Sequence, residues 1–130
     1  MASNALSLIG RIMLAAIFLI TGFGKINGFQ GVISQIASKG LPVPEVLAVA
    51  TIMVELVGGL MLVFGWKARW AALALAAFTA LAGVLFHNFW AVPEAQKMLQ
   101  QIQFLKNVAI IGGLLFVAAY GPGRFSIDRR

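Results

Sequence analysis

Cysteine is absent from this 130-residue chain, and histidine occurs once, at His87. Without cysteine the chain can form neither disulfides nor thiolate-bound iron–sulfur clusters, and it has no thiol for redox chemistry. A single histidine excludes bis-histidine haem ligation and most zinc sites. The sequence therefore predicts no metal site and no covalently bound cofactor, so any electron transfer must use an organic carrier or the cofactor of a partner protein.

Charged residues are also scarce, since they make up 11% of the chain while hydrophobic residues make up 61%. Soluble domains have about 45–50% apolar and about 25% charged residues. A chain of this length forms one domain, residues 1–130, whose excess apolar surface must face lipid. The net charge of +6 then favours membrane lipids as partners through their anionic headgroups, and not nucleic acid.

Four apolar segments of about 18 or 19 residues have the length that a membrane-spanning helix requires. Glycine, proline and polar residues separate them, and they lack the period-two alternation of barrel strands. We therefore predict an all-α fold, an integral membrane four-helix bundle. The predicted spans are residues 6–23, 46–64, 71–89 and 102–120. Residues 29–39 fit either a short helix on the membrane interface or an irregular loop.

Basic residues are somewhat more frequent on one side of the predicted bundle. That side holds both termini and the short loop after the second span, which contains Lys67 and Arg69. Because Lys and Arg in short loops tend to stay in the cytoplasm, we predict that both termini are cytoplasmic.

A weak repeat links the ends of the second and fourth spans. They read GGLMLVFGWKAR and GGLLFVAAYGPGR, which aligns Gly58 and Gly59 with Gly112 and Gly113. Two pseudo-repeated helical hairpins would produce this match, although glycine and leucine recur in any membrane helix. In both cases the glycine pairs predict close contacts between helices.

Ionisable residues inside the predicted spans are costly to insert, at about 2.5–3.5 kcal/mol for a charge near the bilayer centre. Glu55 precedes Trp66 by eleven residues, which places it roughly 16 Å from that interface and close to the midplane. We expect Arg11 or Lys106 to be the cation that holds it. The carboxylate either accepts protons or binds a substrate, or it forms an ion pair that fixes helix packing.

Helical spacing assigns one face of each of the first two spans to helix contacts. These two faces consist of Arg11, Ala15, Phe18, Gly22 and Lys25 in the first span, and of Thr51, Glu55, Gly58, Gly59 and Leu62 in the second.

A second polar region surrounds His87, near the interface opposite the termini. His87 is either an interfacial side chain with one wet end or a hydrogen-bonding partner, together with Lys106, for a small planar carbonyl compound. In the second case an aromatic side chain such as Trp90 stacks on the ring. No catalytic residue is assigned, and the candidate ligand-binding residues are Glu55, His87, Lys106, Asn107, Arg11, Lys25 and Trp90.

Several short motifs, taken in order along the chain, resemble one family. They are an arginine early in the first span, GKINGF at its end, Glu55 followed by glycines and LVFGWKAR, His87 with Asn88, FLKN, and GPGRFSID. Their order and spacing resemble the DoxX family of small bacterial inner-membrane proteins over essentially the whole chain. The resemblance implies a four-helix protein of the bacterial inner (plasma) membrane. It also implies an association with thiosulfate:quinone oxidoreduction, with quinone or catechol stress, or with a membrane complex that handles oxidants.

Three functions fit these observations. The first is binding of a quinone-like small molecule in support of a membrane redox or detoxification system; an enzymatic role would make the chain a quinone-linked oxidoreductase subunit with a redox partner protein. The second is a small transporter or channel that uses Glu55 at the midplane, for which a homodimer would be needed because four helices enclose a narrow cavity. The third is a non-enzymatic scaffold in which every buried charge is structural.

Overall fold

Apolar runs and helix-forming connections make most of the chain helical in its computed structural model, which describes residues 2–130. The helices are α1 (Ala2–Asn27), α2 (Phe29–Ser38), α3 (Pro44–Phe64), α4 (Ala68–Phe86) and α5 (Glu94–Tyr120), with a short 3₁₀ helix at Phe89–Ala91 before α5. Within residues 2–130, four helical segments are long and apolar enough to cross a membrane. The all-α prediction is confirmed.

Several boundaries differ from the predicted spans, and helix α1 (Ala2–Asn27) extends beyond residues 6–23 at both ends. Helix α5 begins at Glu94, well before residue 102, since residues 94–101 favour helix, Pro93 precedes them and an acidic side chain lies in the first turn. Helix α4 ends earlier than predicted, at Phe86. Of the two alternatives for residues 29–39, the structure has the helix, α2.

Helices α1 and α3 pack against each other in opposite directions, as do α4 and α5, and contacts between α3 and α4 join the two pairs. We call the end of the bundle that holds the start of α1, the α3–α4 turn and the end of α5 the terminal end, and the other the opposite end. The fully buried residues of the apolar core are Ala15, Leu62, Ala68, Ala72, Leu75 and Leu114.

The predicted contact faces of the first two spans are confirmed almost residue for residue. Helix α1 buries Arg11, Ala15, Phe18 and Gly22, and leaves Lys25 half-buried. In α3, Glu55, Gly58, Gly59 and Leu62 are buried, together with Ala48 and Ile52, and Thr51 is half-buried. A period of 3.6 residues is therefore sufficient to identify the interior face of these helices.

The glycine pairs of α3 and α5 differ in how they pack. A Cβ atom on Gly58 would lie 2.9 Å from two side-chain atoms of Leu75, and one on Gly59 would lie 2.8 Å from Leu19. In α5 a Cβ on Gly113 would approach Leu14 to 3.0 Å, whereas Gly112 faces open space. Three of the four glycines therefore permit close helix approach, and Gly112 does not.

Replacing Gly58 with alanine is expected to destabilise the bundle by about 1–3 kcal/mol, because the fully buried Leu75 has little room to move away from the new methyl group. Gly112→Ala is the matched control and is expected to be neutral or slightly stabilising, since alanine favours helix. Thermal unfolding of both variants in the same detergent measures the difference. Equal melting temperatures for the two variants would contradict the proposed close contact.

Residues 121–130, the C-terminal segment, fold back across the terminal end. Both carboxylate oxygens of Asp128 accept hydrogen bonds at 3.0 Å from the backbone N–H groups of Lys67 and Ala68, at the start of α4. The backbone N–H of Ile127 donates to the carbonyl of Phe64 at the end of α3. This segment thus satisfies backbone groups that helix ends otherwise leave without partners.

Candidate functional site

A cavity of about 570 Å³ occupies the half of the bundle toward the opposite end. All five helices contribute to its lining, and most of the lining side chains are apolar, among them Ile17, Phe18, Phe78, Leu85, Phe86 and Ile110. Polar groups interrupt the apolar wall at a few positions: Thr21, Lys25, Gln35, Thr51, Glu55, Thr79, His87, Lys106 and Asn107. Apolar walls with a few polar groups are typical of small-molecule sites.

Glu55 lies deep in this cavity and is 3% exposed. One carboxylate oxygen, Oε1, accepts a hydrogen bond from the ammonium group of Lys25, and the other accepts one from the hydroxyl of Thr21 at 2.5 Å. Both partners lie on α1, one helical turn apart, and the Lys25 ammonium also lies 5.5 Å from the ring centre of Phe78. The buried carboxylate is therefore paired within the α1–α3 interface.

The expectation that Arg11 or Lys106 holds Glu55 is wrong. Lys25 begins nearer the opposite end, but a lysine side chain is long enough to reach inward along an apolar wall while its stem stays packed. Its side chain is 30% exposed, compared with 4% for Glu55. The depth of a Cα atom alone thus gives the wrong partner.

Arg11 lies at the terminal end, outside the cavity, and is 1% exposed. Its guanidinium group donates hydrogen bonds to the carbonyls of Leu62 at 2.7 Å and Val63 at 3.0 Å, at the end of α3, and to the carbonyl of Phe125 in the C-terminal segment. A cation at a helix C-terminus also interacts favourably with the helix dipole. Arg11 therefore connects three parts of the chain: α1, the end of α3 and the C-terminal segment.

Asn107 and Thr79 link α5 to α4 at the cavity wall. The side-chain Nδ2 of Asn107 donates to the backbone carbonyl of Thr79 at 3.2 Å, and the Thr79 hydroxyl donates to the carbonyl of Leu75 at 2.6 Å. Gly83 leaves room for this contact, since a Cβ there would lie 3.3 Å from Nδ2. Asn107 is consequently held in one orientation beside the cavity.

His87 follows the last residue of α4 and lines the mouth of the cavity. Its ring Nδ1 lies 2.9 Å from the side-chain oxygen Oε1 of Gln100 on α5. Thr79 and Gly83 share one face of α4, and His87 follows them at the same interval of four residues just beyond the helix. His87 and Asn107 border the same cavity.

Lys106 and Trp90 face partly away from this region. The Lys106 ammonium donates to Gln103 at 2.6 Å on the exposed side of α5, while the residue also borders the cavity. Trp90 is 53% exposed and does not line the cavity. It packs edge to face against Phe89 and Phe104, with ring centres 5.3 and 5.5 Å away.

Five of the seven candidate residues thus border one cavity: Glu55, His87, Lys106, Asn107 and Lys25. Arg11 and Trp90 lie elsewhere.

The sequence reasoning missed Thr21 and Gln100. Thr21 could have been found because it precedes Lys25 by one helical turn, whereas Gln100 falls in a stretch between predicted spans and gives no comparable signal.

Helix α2 covers part of the cavity. Val32, Gln35 and Ile36 on one face of this helix contribute to the lining, and Ile36 is buried. The helix packs mainly against α3 and less against α1. Its amphipathic sequence is therefore explained by one face that closes the cavity and another that faces outward.

These features define a class: a multi-pass membrane protein with four spanning helices and a partly polar cavity near one end of the bundle. Residues 6–88 match the DoxX family model. The chain is 36% identical to inner membrane protein YphA of Escherichia coli (strain K12) over 129 residues, which cover 99% of this chain and 92% of that protein. The protein belongs to the DoxX family and is a multi-pass protein of the inner membrane.

The chain is also similar to further proteins. Inner membrane protein YqjF of the same organism is 38% identical over 122 residues, which cover 94% of this chain and 88% of that protein. A Surfeit locus protein 4 homolog of Drosophila melanogaster is 28% identical over 127 residues, covering 96% of this chain but 40% of the longer relative. No solved structure matches the chain at a significant level.

Proposed function

We propose that this protein binds a quinone-like molecule in the cavity and thereby supports a redox or detoxification system of the inner membrane. The observation that carries the proposal is a space of about 570 Å³ with apolar walls and a few polar groups. Sites for small organic ligands commonly have volumes of about 300–1,000 Å³ and the same mixture of groups. A planar ring with polar substituents and an apolar tail matches this lining.

The charge distribution favours an uncharged ligand. Glu55 and Lys25 neutralise each other, Asn107 carries no charge, and the Lys106 ammonium bonds to Gln103 on the exposed side of α5. Phe78 and Phe86 provide aromatic surface for ring contacts within the lining. Quinones and their reduced forms are neutral aromatic or planar molecules, so they fit better than a phosphate or a free amino acid.

If the protein has the proposed redox role, it needs a partner protein. The sequence has no cysteine and one histidine, so the chain lacks the usual protein ligands for an electron-transferring metal centre. We therefore expect the electrons to come from, or pass to, the cofactor of another protein, with this chain holding the lipid-soluble carrier.

Ligand binding is favoured over transport by the packing of the terminal half. There Leu62, Leu75 and Leu114 are fully buried and fill the bundle, and Arg11 holds the end of α3 to the C-terminal segment. A solute that moved from the cavity to the terminal end would have to separate these contacts. The cavity is accordingly better suited to holding a ligand than to conducting one.

Filling the cavity is the direct test. Ala82 on α4 lines it, so Ala82→Phe is expected to weaken binding of a short-chain benzoquinone analogue at least about tenfold by occupying the space of its ring. Ala80→Phe adds the same ring to the exposed side of α4 and is the matched control. Binding is measured by titration of protein in lipid nanodiscs, with tryptophan fluorescence as the readout.

Two outcomes would contradict the proposal. One is that wild-type protein neither retains quinone on extraction nor responds to the analogue. The other is that the Ala82 and Ala80 variants bind equally well. Solute flux in proteoliposomes that depends on Glu55 would favour the transporter instead, and loss of a partner protein without any change in ligand binding would favour the scaffold.

A further inference from the structure

We propose that the cavity selects the reduced, hydroxyl-bearing form of its ligand, so that a hydroquinone binds more tightly than the corresponding quinone. This inference rests on the proposed function and adds a preference for one redox form. It follows from the hydrogen-bonding capacity that the polar side chains of the cavity retain after their contacts within the protein have been made.

Asn107 presents an acceptor. Its Nδ2 donates to the backbone carbonyl of Thr79, and because a carbonyl can only accept, this bond fixes which atom of the side-chain amide is the nitrogen. The other atom, Oδ1, has no hydrogen-bond partner among residues 2–130 and is not sealed from its surroundings. Since Asn107 lines the cavity, Oδ1 is available to a ligand that donates a hydrogen.

His87 presents a second acceptor. Its Nδ1 lies 2.9 Å from the amide oxygen of Gln100, and with the amide in this orientation we infer that Nδ1 of a neutral imidazole carries the hydrogen. The lone pair then lies on Nε2, on the side of the ring turned away from Gln100. Gln100 does not line the cavity and acts as a positioning residue for His87.

Two of the three threonine hydroxyls that line the cavity already donate hydrogen bonds within the protein. The single hydrogen of the Thr21 hydroxyl has both Glu55 and the carbonyl of Ile17 within reach as acceptors, and Thr79 donates to the carbonyl of Leu75. The lysine ammonium groups retain N–H groups, although Lys25 bonds to Glu55 and Lys106 bonds to Gln103. Thr51 and Gln35 also line the cavity, and because a hydroxyl and an amide can each donate or accept, these two side chains suit either redox form. The uncharged groups that are restricted to one role are the acceptors Asn107 Oδ1 and His87 Nε2.

A quinone and a hydroquinone differ in how they meet such groups. A quinone oxygen can only accept, so placing it against Asn107 Oδ1 or His87 Nε2 sets one acceptor against another and leaves both without a hydrogen bond. A hydroquinone hydroxyl donates to either acceptor and can still accept from a lysine. Each mismatched acceptor is expected to weaken quinone binding by about tenfold.

The first test is spectroscopic and needs no ligand. His87 is the single histidine of the chain, so ¹⁵N labelling of histidine gives one pair of ring signals, recorded at pH 8 in nanodiscs. The expected spectrum is that of the tautomer with hydrogen on Nδ1. Gln100→Lys is expected to give the other tautomer, with hydrogen on Nε2, because an ammonium group can only donate and Nδ1 must then accept. Gln101→Lys, on the exposed neighbouring position, is the control and should leave the spectrum unchanged. The tautomer with hydrogen on Nε2 in the wild-type protein would overturn the proposal.

The second test compares the two redox forms of one short-chain benzoquinone analogue under anaerobic conditions. The hydroquinone is expected to bind at least about tenfold more tightly to the wild-type protein and to the Gln101→Lys control, and Gln100→Lys should reduce this ratio about tenfold. Equal binding, or tighter binding of the quinone, would overturn the redox preference while leaving the proposed function intact. Absence of binding by either form would overturn both.

Discussion

Replacing Arg11 with methionine is expected to lower the stability of the bundle by roughly 3–5 kcal/mol. The guanidinium group holds three backbone carbonyls, those of Leu62, Val63 and Phe125, in a region that excludes water. Methionine fills much of the same space but leaves these acceptors unpaired, which costs far more than the loss of an exposed contact. The measurement is unfolding in mixed detergent with increasing sodium dodecyl sulfate.

Arg69 supplies a matched control for this prediction, because it also bonds to carbonyls at a helix end, those of Ala118 and Ala119, but is exposed. Water or lipid headgroups can replace it, so Arg69→Met should cost less than about 1 kcal/mol. Arg11→Lys should give an intermediate value, since an ammonium group has donors but not the planar arrangement that spans three carbonyls. Similar losses for Arg11→Met and Arg69→Met would show that burial of Arg11 contributes little.

Lys25→Met is expected to have the second large effect, again about 3–5 kcal/mol, because it leaves the buried Glu55 carboxylate without a cation. Glu55→Leu should be less harmful, since Lys25 is partly exposed and can extend toward the membrane interface once its partner is gone. Glu55→Gln should be tolerated better than Glu55→Leu because its amide oxygen can still accept from Lys25 or Thr21.

The double variant Lys25→Met with Glu55→Leu measures how much of each single loss of stability comes from the interaction between these two side chains. Removing both charges eliminates the unpaired carboxylate, so the double variant should recover most of the stability lost in Lys25→Met. Thr51→Val, at a half-buried position one turn from Glu55, is the control for a general effect of altering the cavity wall. Strictly additive losses in the double variant would mean that Lys25 and Glu55 do not interact in the membrane.

The helices and their interior faces could be predicted from the sequence because lipid imposes a simple rule on it. Every spanning segment must be apolar and helical, and a buried face shows small or polar residues with a period of 3.6, as Arg11, Ala15, Phe18 and Gly22 do in α1. The same rule does not apply to residues 94–101, which lie outside the apolar span. These residues are helical because of their intrinsic helix propensity.

Side-chain pairing could not be predicted in the same way. Helical spacing places Glu55 on an interior face, but its partner depends on where the flexible side chain of Lys25 ends and not on where the Cα atom of that lysine lies. Arg11 bonds to carbonyls and not to the carboxylate that the sequence predicts, and one of these carbonyls, that of Phe125, lies 114 positions away in the chain. Contacts between such distant positions depend on the complete fold, and the local spacing of residues does not predict them.

The contact between Arg11 and Phe125 has a consequence for biogenesis. Arg11 emerges from the ribosome and reaches the membrane long before the carbonyl of Phe125 is synthesised. During that interval we expect its guanidinium group to lie among the headgroups, where it remains hydrated. We therefore expect the terminal end of the bundle to close last, after the fourth span has been inserted. Nascent chains halted before residue 125 should leave α1 less firmly anchored than chains released in full.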